Sequence, residues 1–98
     1  MPASFLFTAS VTWTNGATVT GNILIRFHNG TSGLFYGQQH VRSTELEASV
    51  PQSRTLSAVV TAVATDYFEV KMQNLSGSNL TVEGDNNECR FTAEFLGT

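Results

Sequence analysis

Most of this chain alternates between apolar and polar residues with a period of two. Phe5, Phe7, Ala9, Val11 and Trp13 fall on one face, with Leu6, Thr8, Ser10, Thr12 and Thr14 on the other. An extended strand projects successive side chains to opposite faces, so this stretch predicts a long, half-buried β-strand. Asn15-Gly16 follows as a strong turn signal. A second strand is expected over 22–27, with Ile23, Ile25 and Phe27 inward and Leu24 and Arg26 outward. After the turn-forming HNGTSG, the sequence LFYG predicts a short aromatic strand. Residues 44–50 predict a weaker strand that Pro51 ends.

The second half continues the pattern. TLSAVVTAV offers Leu56, Ala58, Val60 and Ala62 to one face, leaving Val59 and Val63 on the other. In DYFEVKMQN, Phe68, Val70 and Met72 point inward while Glu69, Lys71 and Gln73 point outward. SGSN is a turn, LTV a short strand, and EGDNNE a further turn. The closing strand sets Cys89, Phe91, Ala93 and Phe95 against Arg90, Thr92 and Glu94. These elements predict an all-β fold, one domain over 1–98, in a compact antiparallel sandwich or jelly roll of about eight strands. No helical period, linker, repeat or low-complexity segment interrupts them.

The exceptions to the alternation carry information of their own. Leu6, Val59, Val63, Tyr67 and Leu96 are apolar or aromatic residues on faces that are otherwise polar. A strand apolar on both faces needs cover on both, and a domain this small has no spare layer to supply it. Burial of the same patch on several copies is the simplest answer, so self-association is expected. Leu96 cannot join the face of Phe91 and Phe95 unless the last strand bulges.

Composition narrows the picture. At 98 residues the chain supports one modest core, since a domain of this size hides only about 60–65% of its unfolded surface. Charged residues make up 13% of the chain, against about 25% in ordinary globular proteins. With a net charge of −3 and five scattered Lys and Arg residues, no phosphate-binding footprint exists, which argues against a nucleic-acid partner. The single cysteine allows neither an internal disulfide nor a cysteine-based zinc site, and Cys89 is expected to be a small core residue. The first residues show neither the basic start nor the apolar run of a signal peptide, and no stretch reaches the roughly 20 apolar residues of a membrane helix. A chain made and used in a reducing cytoplasm, with no membrane partner, is the expectation.

Candidate chemistry is sparse. His28 and His40 both fall in or near turns, and no motif links either to Cys89 as base to nucleophile. No glycine-rich phosphate loop is present. Glu83, Asp85, Asn86, Asn87 and Glu88 are oxygen donors of the kind calcium accepts, but their spacing is not that of an EF-hand, and a hairpin turn needs the same residue types. Asn29-Gly30-Thr31, Asn74-Leu75-Ser76 and Asn79-Leu80-Thr81 match the glycosylation sequon and are expected to be unused. The expectation is no enzyme, no cofactor and no metal. Arg90 and Glu94, four residues apart on one strand face, can meet partners on neighbouring strands or on other copies.

The segment from TLSAVV to CRFTAEFLG resembles the second half of the C1q/TNF-like jelly roll. It carries the apolar strand, the Asp-led alternation Asp66 to Lys71, the Ser76-Gly77 turn, and a last strand running from Phe91 to Leu96. SFLFTASVTW and the later His28-Asn29-Gly30 turn resemble the family's early aromatic strand and the turn after it. Thr65 stands where the family usually has Gly before the Asp, and the family's opening strand is expected to be missing or shortened. The resemblance implies a homotrimer around a threefold axis faced by Leu6, Thr8, Arg90 and Leu96. With the exceptions above, the expected trimer interface comprises Leu6, Thr8, Val59, Val63, Tyr67, Arg90, Glu94 and Leu96.

The likeness is greatest to small phage virion members of that family. It implies a structural virion protein on the capsid surface, a decoration or cement protein partnered with itself and with the major capsid protein. A trimeric tail-fibre head that binds a receptor or glycan is the alternative, and a secreted C1q-like binding module the less favoured third.

Overall fold

In the computed structural model, residues 2–16, 20–42, 44, 46–47, 49–77, 79–82 and 89–98 are described. Strand β1 (Ala3–Asn15) organises them, because it is paired along both edges. One edge takes β4 (Pro51–Ala62) over twelve consecutive antiparallel pairs, from Ala3 opposite Ala62 to Thr14 opposite Pro51. The other edge takes β7 (Arg90–Gly97) beside residues 4–10 and β6 (Leu80–Val82) beside residues 13–15. A second antiparallel sheet has β2 (Asn22–Asn29) between β3 (Phe35–Val41) and β5 (Phe68–Leu75). The fold is all-β, two antiparallel sheets face to face, with no α-helix among the described residues.

The core lies between the sheets and is built from the residues that alternation assigns to it. Phe7, Ala9, Val11 and Trp13 of β1 and Leu56 and Val60 of β4 meet Ile23, Ile25 and Phe27 of β2, with Val41 and Leu46 closing the far end. The Phe7 ring packs edge-on against Phe27, Phe68 and Phe91, with centroids 4.8–5.6 Å apart. Burying a side chain such as Phe27 or Ile25 contributes about 1.5–3 kcal/mol, and edge-to-face geometry adds to that.

Four expectations change. Seven strands are present among the described residues, rather than about eight. The strand expected over 44–50 does not form in its described part, and Pro51 opens β4 instead of ending a strand. Leu46 from that segment is buried, so its apolar character serves a loop anchor. Asn15-Gly16 marks a change of sheet: the Gly16 N–H donates to the Asn79 carbonyl at 2.7 Å, and β1 pairs with no part of β2. The aromatic strand over 34–37 is the start of a longer one, β3, that reaches Val41.

One side of the sandwich is closed and the other open. On the closed side, β3 bulges between its pairings Ile25–Gln39 and Phe27–Tyr36, with Gly37 at φ +59°. That bulge brings β3 onto β4, where a Cβ on Gly37 would stand 3.0 Å from Ala58 and 3.2 Å from the Ser57 carbonyl. Gln39 Nε2 also donates to the Thr55 carbonyl of β4 at 3.3 Å. The left-handed backbone favours glycine on its own account. Gly37→Ala is therefore expected to lower unfolding free energy by about 1–2 kcal/mol, read from urea denaturation midpoints at unchanged slope.

Candidate association surface

The two outer faces of the sandwich differ in kind. On the β3-β2-β5 sheet the outward side chains mix charged and amide groups, several of them paired, with the apolar Leu24, Phe35 and Leu75. Arg26 Nη2 donates to Gln73 Oε1 at 3.3 Å, and its guanidinium lies 3.9 Å from the centroid of the Phe35 ring. His28 stacks on the same ring at 4.7 Å and stands 3.6 Å from Glu69. Phe35 remains 44% exposed.

The outer face of the four-stranded sheet is instead an array of hydroxyls. Alternation and register put Ser4, Thr8, Ser10 and Thr12 of β1 beside Thr61, Ser57, Thr55 and Ser53 of β4. Ser10 and Thr55 hydroxyls are 3.2 Å apart, Thr12 and Ser53 2.6 Å, and Thr92 of β7 donates to the Thr8 carbonyl at 3.4 Å. One apolar group interrupts this face. Leu6 stands directly opposite Val59 on one side and Glu94 on the other. Val59 is 65% exposed.

Leu96 sits where β7 bulges. Phe5 pairs with Phe95 and Ser4 with Gly97, so Leu96 has no residue opposite it and leaves the simple alternation. Its side chain is 51% exposed, at the same end of the sheet as Leu6 and Val59.

The eight residues expected to form one interface fall into two groups. Leu6, Thr8, Val59, Arg90 and Glu94 share the outer hydroxyl face, with Leu96 at its end. Val63 lies beyond β4, lining a cavity of about 320 Å³ with Phe5, Phe68 and Ala93 at the inner side of the sheet. Tyr67 seals the end of the other sheet: its ring lies on Gly30, whose N–H donates to the Tyr67 carbonyl at 2.9 Å.

The remaining candidates are structural in their surroundings. Cys89 is half-buried against the core with its thiol 3.8 Å from the Thr12 carbonyl, whereas His28 and His40 lie on the outer face of the opposite sheet. Asn29 is buried, and its Oδ1 accepts from the Thr31 and Ser32 N–H groups in an Asx turn. The calcium-type turn over 83–88 lies outside the described residues. Among the described residues no group of three or more His, Cys, Asp and Glu side chains is placed to hold a metal, and no helix is long and apolar enough to cross a membrane.

Sequence reasoning missed the open side of the sandwich. Phe91 and Phe95 point toward the core and contact Phe7, Phe27 and Phe5, yet they are 41% and 61% exposed. A second cavity, about 250 Å³, opens there between Val11, Val70, Cys89 and Phe91. Alternation assigns a residue to a face but is silent on whether another strand covers it.

Since Val59 is largely solvated in a lone protomer, Val59→Thr is expected to change the stability of dilute, unassociated protein by no more than about 0.5 kcal/mol. Urea unfolding at the lowest measurable concentration checks this. No family model matches the chain, and no curated protein or solved structure matches it.

Proposed function

We propose that this chain is a non-enzymatic structural protein of a phage virion: a homotrimeric decoration or cement protein with C1q/TNF-like jelly-roll connectivity. It binds the assembled head and stabilises it. The observation that carries the reading is the contrast between the outer faces. One carries Arg26, His28, Glu69 and Lys71, paired in part, beside Leu24, Phe35 and Leu75. The other is a hydroxyl array, with Arg90 and Glu94 confined to its β7 edge, that ends in Leu6, Val59 and Leu96. Hydroxyls and aliphatic groups lose less on leaving water than charges do, so the second face is the one suited to a threefold axis. Around that axis Leu6, Thr8 and Val59 pack, Leu96 closes one end, and Arg90 and Glu94 lie toward the edge of the sheet.

The charged sheet then faces outward in all three copies. Each trimer bridges neighbouring copies of the major capsid protein and engages only the assembled shell, so its binding free energy adds to the stability of that shell by mass action. Fibre-head function is the second reading. The exposed Phe35 ring, flanked by Arg26 and His28, is the feature that favours it, as aromatic rings are common contacts for ligands.

Imaging heads with and without this protein tests the proposal. Density at local threefold positions of the shell is expected, together with loss of that density and of heat resistance for Val59→Asp. Density confined to the tail would contradict it.

A further inference from the structure

On the open side of the sandwich the longer unpaired strand edges among the described residues are β7 in one sheet, beside the three-residue β6, and β5 in the other. The inward side chains of Phe68, Val70 and Phe91 line depressions that reach the core, and Phe95, in contact with Phe5, is 61% exposed. An exposed edge next to exposed aromatics is a template for another strand. The question is which strand fits.

Both edges are complementary to themselves. Take β7 antiparallel to a second copy of β7, with Thr92 facing the partner's Thr92. Arg90 then lies opposite the partner's Glu94, and Glu94 opposite the partner's Arg90. On the inner face each large ring meets a small neighbour, Phe91 beside the partner's Ala93 and Phe95 beside the partner's Cys89. Now take β5 in the same way about Val70. Glu69 lies opposite the partner's Lys71, and Phe68 opposite the partner's Met72. Opposite charges and Thr–Thr pairs directly across an antiparallel ladder are stabilising combinations.

The two centres are also close in space. Val70 lines the same cavity as Cys89, Arg90 and Phe91, the residues just before Thr92. One twofold axis perpendicular to the sheets therefore serves both ladders. We infer that a second copy of this chain closes the open side, joining β7 to β7 and β5 to β5 in one continuous two-layer sandwich. Such a contact is isologous, and it pairs the free edges of β5 and β7 by a single operation. It uses sheet edges and shares only Arg90 and Glu94 with the outer face assigned above to the threefold, whose centre at Leu6 and Val59 it leaves untouched, so either can hold without the other.

The experiment separates them. In a Val59→Asp chain, whose outer face carries a buried-charge penalty against threefold packing, sedimentation equilibrium is expected to give a two-copy species. Arg90→Glu in that background places Glu opposite Glu twice and is expected to raise the dissociation constant at least about tenfold. Adding Glu94→Arg swaps the charges and is expected to restore the pair. A one-copy or three-copy species in the Val59→Asp chain, or failure of the swap to restore association, overturns the inference. Hydrogen exchange on the unmodified chain supplies a readout free of substitutions. Protection of β5 and β7 backbone amides must grow with protein concentration, and concentration-independent exchange there also overturns it.

Discussion

Aromatic rings on the inside of a β-sandwich stay dry only where a second sheet lies over them. In this chain that cover is lopsided. β3 bulges at Gly37 onto β4 and seals one side, so Phe27, Ile25 and Val60 are fully enclosed. Among the described residues nothing comparable joins β5 to β7, and the ring cluster that starts at Phe7 runs outward through Phe91, which is 41% exposed. A small domain has little burial in reserve. Leaving two phenylalanines half wet is a cost that association can recover.

Two kinds of surface follow from this arrangement, and they arise from different features of the sequence. The outer face of β1, β4 and β7 owes its character to Ser and Thr at alternate positions, with Arg90 and Glu94 of β7 as its charges. Its apolar end depends on Leu6 and Val59 being in register, a consequence of the unbroken twelve-pair ladder between β1 and β4. The open side owes its character to the absence of a neighbour beyond β5 and β7 among the described residues. A lone protomer is thus incomplete in two directions, which is the physical basis for reading it as a building block of a larger assembly.

Much of the fold was legible in the alternation alone. The inward residues of β1, β2 and β4 were assigned by period two, and the structure buries or half-buries all of them, Leu56 and Val60 deeply. The segment around Leu46 read as a strand because its apolar residue has a real core position, although no strand forms over its described part. The Asn15-Gly16 signal marks the end of β1 but not the chain's destination, since turn chemistry fixes local dihedrals and not which sheet the chain enters next. Leu96 was recognisable as anomalous from its face, and the bulge that explains it required the register against Ser4 and Phe5. The exposure of Phe91 and Phe95 was beyond reach, because it depends on strand order rather than on any local pattern.

The central claim is that two or more copies bury what one copy leaves wet. Small-angle X-ray scattering of the unmodified chain over a dilution series tests it most directly. The account predicts a particle mass that is a multiple of 10.6 kDa at micromolar concentrations and falls toward the single-chain value on dilution. A scattering curve fitted throughout by one solitary chain, with no change in radius of gyration from 14.7 Å beyond its hydration layer, would contradict it.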